Sequence, residues 1–146
     1  MLGAGAIGGC LAALLDAAGH DVTVVARSTA VVLRERGLRL EGAFGGHHAH
    51  PEVVDALVGA PDAAIVATKT IDTAAALAPS AAALADVPTM AVQNGLDAHG
   101  RVARILGHGR VAAGLGTWAA NALEPGVMRI TAGGETVVGG PAGERF

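Results

Sequence analysis

Gly3, Gly5 and Gly8, in the stretch "GAGAIG", stand at the spacing G-x-G-x-x-G. That spacing suits the holding of a pyrophosphate. The first glycine permits a tight turn, the second lets the backbone approach phosphate, and the third lets the following helix pack on a sheet. Together with Ala4, Ala6 and Ile7 they make a candidate dinucleotide cradle. N–H groups at a helix start face the anion, and the helix dipole adds to the attraction. Alone the motif is weak, but its surroundings support it. Ile7, Leu11, Leu14, Leu15 and Ala18 recur at helical spacing, and Gly19 follows as a helix stop. The β-branched run "DVTVVA" (21–26) then falls where a βαβ unit needs its second strand.

The end of that second strand selects the ribose. An Asp or Glu there suits a free 2′-hydroxyl, whereas this strand runs into Arg27. A guanidinium can bind a 2′-phosphate bidentately, and a carboxylate would repel it. Ser28 and Thr29 add hydroxyl donors. The expected cofactor is therefore NADP, as NADPH. An ordinary loop arginine is the plain alternative. Lys69 follows the apolar strand "AAIVAT", and Asn94 follows "TMAVQ". Ligands of open α/β sheets sit outside the carboxyl ends of the strands, where both residues fall. Singly, a solvated lysine at a helix start and an Asn-Gly turn explain them as well.

Other chemistry-bearing residues are weaker candidates. In "HHAH" (47–50), His48 and His50 share a strand face, but no further ligand completes a metal site, so a solvated strand edge is expected. Cys10, the single cysteine, is read as a packing residue and permits no internal disulfide. That fits a reducing cytoplasm. "AIGGC" has the look of a lipoprotein cleavage box. No Lys or Arg precedes it, however, and the apolar run meets Asp16 well short of the roughly 20 residues a membrane span needs.

These residues need a scaffold of alternating strands and helices. The 146 residues are 51% hydrophobic and 16% charged, with net charge −3, which excludes disorder and a basic nucleic-acid footprint. Aromatic side chains are limited to two Phe and one Trp, so the core must be built from Ala, Val, Leu and Ile. Helices are expected over 28–37 from a capping Ser28, over 71–86 with an interruption near Pro79, and over 96–107. Strands are expected at "LRLEG", "GGHHAH", 63–68 and 89–93, with "PEVVDALVGAPD" a helical turn or loop. After residue 108 the pattern becomes strand-like, through "RVAAGLGTWAAN", "GVMRIT" and "ETVVGG", and reads as antiparallel. The fold class is thus α/β, a Rossmann-type doubly wound and mostly parallel sheet, in a single domain over 1–146. Its first strand is truncated to Met1 and Leu2.

The ordered series "LGAGAIGG", "GHDVTVVAR", "ATK", "QNG", "GT", "EPG" and "TVVG" resembles the N-terminal NADP-binding domain of the ketopantoate reductase family. The resemblance implies NADPH-dependent reduction of 2-dehydropantoate to pantoate, in the route to coenzyme A. It implies that Gly3 to Gly8 hold the pyrophosphate, that Arg27 lies by the 2′-phosphate, and that Lys69 and Asn94 lie by the nicotinamide ribose. Asn94 would also touch the substrate, and Ala120 would contact cofactor through its backbone. Members carry a complete first strand and a helical domain with a proton-donating lysine and a substrate-binding glutamate. Neither residue is expected within 1–146, so this chain alone is expected to lack turnover, and the short first strand is expected to leave its neighbours with unpaired backbone groups. The expected partners are a small 2-oxoacid and a second copy in a homodimer, without nucleic acid or membrane. Two further readings share the glycine turn: a non-catalytic NAD(P)-binding sensor, which usually needs the acid that Arg27 replaces, and a piece of another dehydrogenase such as an opine-type enzyme.

Overall fold

The computed structural model describes the whole of residues 1–146. Apolar residues at helical spacing form α1 (Ala6–Ala17). It stops where Gly19 turns to φ +89°, and the N–H groups of Gly19 and His20 bond Asp16 O and Leu15 O at 2.9 and 3.1 Å. The chain continues through β1 (Thr23–Val25), α2 (Ala30–Arg36), β2 (Leu38–Gly42), β3 (His47–Ala49), β4 (Glu52–Val54) and β5 (Ala64–Val66). Then follow α3 (Thr73–Leu77), β6 (Thr89–Ala91), α4 (Ala98–Leu106), β7 (Val111–Gly116), β8 (Ala119–Glu124), β9 (Val127–Ala132) and β10 (Thr136–Gly139).

The larger sheet runs β4, β1, residues 1–3, β5, β6, β7 and β10, parallel throughout except for β10. This is the doubly wound order, with the chain working outward on both sides of residues 1–3. Short as it is, that segment bonds both neighbours. Leu2 N–H donates to Ile65 O at 2.8 Å and Leu2 O accepts from Ala67 N–H at 2.9 Å. On the other side Gly3 N–H donates to Val25 O at 3.0 Å, Val25 N–H donates to Met1 O at 2.8 Å, and the Met1 ammonium donates to Thr23 O at 2.7 Å. Residues 1–3 therefore close the gap that so short a strand leads one to expect.

A second sheet, of order β3, β2, β9 and β8, was not legible beforehand. Its β2 and β9 run parallel with Leu40 opposite Met128, so the tail of the chain is not simply antiparallel. Within the tail only the β7–β10 and β8–β9 pairs are antiparallel. "RVAAGLGTWAAN" divides into β7 and β8, which belong to different sheets. The segment "PEVVDALVGAPD", expected to be a helical turn or loop, instead begins with β4 at Glu52–Val54, paired in parallel with β1. The 71–86 helix shrinks to α3, because Pro79 lies in a 3-10 turn and residues 81–86 only turn. Ser28 caps nothing; α2 begins after Thr29.

The layers follow from where the apolar faces point. Cys10, Ala12 and Ala13 of α1 pack with Leu38, Leu40, Ala49, Met128 and Ile130 of the second sheet and with Val24 of the first. The opposite face of the larger sheet buries Leu2, Val66 and Val111 against Leu77, Leu84 and Val102. So α1 lies between two sheets, and α3 and α4 cover the far side. Trp118, in the connection from β7 to β8, ties it to β10 at the rim, donating Nε1–H to Thr136 Oγ1 at 3.0 Å. No helix is long and apolar enough to cross a membrane.

Candidate functional site

The strand order reverses at residues 1–3, and a cleft of about 400 Å³ lies at the carboxyl ends of the strands there. It is lined by Gly3 to Gly5, by Ala26 to Thr29 after β1, by Asp55 after β4 and by Ala67 to Lys69 after β5. Asp72, Ala75, Ala76 and Pro79 close one wall.

The glycine turn has a distinct reason at each position. Gly3 sits at φ +95°, and a Cβ there would stand 2.9 Å from Thr68 Cγ2. A Cβ on Gly8 would overlap Gly3 O, so the start of α1 can approach the sheet only without one. A Cβ on Gly5 would meet nothing within 4 Å and would project into open space. Gly5 is also the N-cap of α1 and offers no side-chain cap, so the first N–H groups of the helix have no intrahelical or side-chain acceptor.

Arg27 and Lys69 line the cleft, are exposed, and take part in no ion pair. Lys69 is held extended, at φ −61° and ψ 141°, just before the 3-10 turn Thr70–Asp72. Of the acids at the cleft, Asp55 is engaged by Arg34 at 2.9 Å. The cleft thus presents two free cations and an uncapped helix start against one unpaired carboxylate, Asp72, a balance that favours an anion.

Five of the residues singled out from sequence, Ala6, Ile7, Gly8, Asn94 and Ala120, do not line this cleft. Asn94 is exposed on the loop after β6, where its carbonyl accepts from Thr70 Oγ1 at 2.5 Å. Ala120 lies in β8 of the second sheet and packs against the α1 core. Ala6, Ile7 and Gly8 form the first turn of α1 behind the cradle. Behind Asn94, the Arg104 guanidinium bonds Asp97 at 2.6 Å and holds its carboxyl below the ordinary value. Burial pushes the Cys10 thiol up to about 11, which keeps it protonated and inert. The His48 and His50 rings lie with centroids 4.4 Å apart, tilted by 44°, and no group of three or more side chains that could hold a metal ion exists. A smaller hollow of about 240 Å³ lined by His48 mixes Arg36 and Arg39 with Glu124.

Sequence reasoning passed over Gln93 and Thr68. The Gln93 Nε2 group lies within 2.9 Å of Thr68 O and Thr68 Oγ1 and 2.8 Å from Thr73 Oγ1. The available signal was their position: each is the polar residue directly before a candidate, in "QNG" and "ATK".

The strand order, the crossover helices and the glycine turn define a Rossmann-type α/β domain. Residues 1–143 match the family described as Ketopantoate reductase PanE/ApbA, and the chain belongs to that family. It is 32% identical over 141 residues to a 2-dehydropantoate 2-reductase of Pyrococcus horikoshii, covering 95% of this chain and 46% of that protein. Among solved structures, a PanE/ApbA family ketopantoate reductase from Ralstonia eutropha superposes with TM-score 0.84 at 28% identity, over 94% of this chain and 47% of that one. The 2-dehydropantoate 2-reductase from Methylococcus capsulatus gives TM-score 0.82 at 29% identity, over 93% and 46%. The chain spans about half the length of the curated relatives it matches.

Proposed function

We propose that residues 1–146 form the cofactor-binding half of an NADPH-dependent reductase acting on 2-dehydropantoate, a small 2-oxoacid. The carrying observation is the cleft at the strand-order reversal, where an open Gly5, an uncapped helix start and an unpaired Arg27 converge. These features fit a dinucleotide. The space that a Cβ on Gly5 would fill can admit a pyrophosphate, and the helix N–H groups supply its donors. Arg27 would take a 2′-phosphate through paired N–H donors.

The dinucleotide, when bound, supplies a hydride to the ketone carbon of the substrate. The chain's own residues bind and orient. The Lys69 ammonium favours negative charge at the mouth of the cleft, and the Asn94 amide offers a donor and an acceptor from the neighbouring loop. No group in the cleft is assigned as proton donor. That role is proposed for the half of the reductase that relatives carry beyond the matched region. A cytoplasmic setting and a homodimer complete the proposal, the first supported by the lone Cys10 and the second by the exposed Leu115–Val137 pair at the β7–β10 edge.

Calorimetric titration with NADPH and NADH tests the cofactor. Arg27→Ala should cost about 1.5–3 kcal/mol with NADPH, the range for charged hydrogen bonds, and leave NADH almost unchanged. Equal losses for both cofactors would refute the assignment.

A further inference from the structure

We infer that Gln93 is a positioning residue for Lys69, acting through Thr68; the inference rests on the reading of the cleft above. Its amide orientation is settled by the partners. Thr68 O can only accept, and the Thr73 hydroxyl spends its proton on Thr70 O at 2.8 Å, so it too accepts from Gln93. The two N–H bonds of Gln93 are thereby committed, and its Oε1 is left buried without a partner. An orphaned buried carbonyl costs stability that an apolar side chain of the same size would not. What the amide offers in exchange is direction.

That direction falls on one short segment. Thr68 is joined by its carbonyl carbon to Lys69, and its Cγ2 and N stand 2.9 and 3.0 Å from where a Cβ on Gly3 would lie. Thr73 is held at the far end of the segment, and Thr70 Oγ1 donates to Asn94 O at 2.5 Å in the middle. Residues 68–73 are therefore pinned to residues 93–94 at three points, with Lys69 between the pins. The Lys69 carbonyl accepts from Asp72 N–H at 2.9 Å but its ammonium has no partner, so its approach to the cleft is set by the backbone that Gln93 holds.

The test uses Gln93→Met, which keeps the side-chain volume and loses the donors, with Lys69→Ala and the double variant. NADPH affinity is measured by titration. Gln93→Met should weaken binding about tenfold when Lys69 is present and by less than about twofold in the Lys69→Ala background, because the effect passes through Lys69. In the ligand-free chain, trypsin should cut after Lys69 about tenfold faster in Gln93→Met than in wild type, since local opening is easier. Equal affinity losses in both backgrounds, or unchanged cleavage after Lys69, would overturn the inference. If Gln93→Met does not fold, Gln93→Glu replaces it. A carboxylate cannot donate to Thr68 O but its protonated form can, so NADPH binding by Gln93→Glu should recover as pH falls while wild type does not change in that way. A flat profile in that variant counts against positioning. A wild-type chain that fails to bind NADPH refutes the reading of the cleft, and the pinning then stands or falls on the trypsin comparison.

Discussion

A Cβ placed on Gly5 would meet no atom within 4 Å, whereas one placed on Gly8 would run into Gly3 O. The two glycines thus separate binding from folding. Gly5→Val should fold with a loss of about 1 kcal/mol or less, because the added methyls occupy free space at an extended N-cap. In the proposed function the same methyls stand where a pyrophosphate would approach, so NADPH binding should fall below detection. Thermal denaturation and fluorescence titration on one preparation check both halves. Normal binding by the variant would make the turn a packing device only.

At the scale of elements, the first strand is the shortest and the most central. Leu2 is 1% exposed and contributes to the core shared with Val66, Leu77 and Val102. Leu2→Ala should cost about 2–5 kcal/mol in urea unfolding, the range for a large-to-small change in a core that cannot collapse. A loss below about 1 kcal/mol would mean that the two halves of the sheet do not depend on it. Elements with local signals were readable in the chain. The period of Ile7, Leu11 and Leu14 announced α1, and β-branched runs announced β1 and β5. β4 was not readable, because "EVVDALVG" is apolar at both strand and helix spacings. The second sheet was hidden for a different reason: Leu40 meets Met128 only through pairing across most of the chain, and nothing local encodes it. The site divides the same way. Gly3 to Gly5, Arg27 and Lys69 could be read from motif and strand end, and they do line one cleft. Gln93 and Thr68 were marked only by standing next to Asn94 and Lys69, since their link is a hydrogen bond between residues 25 apart.

For the molecule as a whole, one buried charge sets a pH dependence. Desolvation lowers the Met1 ammonium from 8.0 to about 6 in the folded chain. Between those values the unfolded chain holds more protons than the folded one, so stability rises with pH across that window. In a chain that begins with a free amino group at Met1, the gain from pH 6 to pH 8 should be about 2 kcal/mol, and acetylating that group should flatten it. Urea midpoints at a series of pH values measure this, and an unchanged slope after acetylation would assign the effect elsewhere. The sandwiching of α1 between two sheets also governs events during synthesis. Arg129 reaches Glu41 across 88 residues, and Met128 lies over Gly9, so the seal on the first helix is made of strands that leave the ribosome long after it. At about 5–20 residues per second, α1 waits for seconds with its buried face open. For that interval Cys10 is an ordinary thiol within reach of oxidants and alkylating agents. When β9 docks, the same thiol is enclosed and pushed up to about 11, and the chain's one thiol is closed to alkylation.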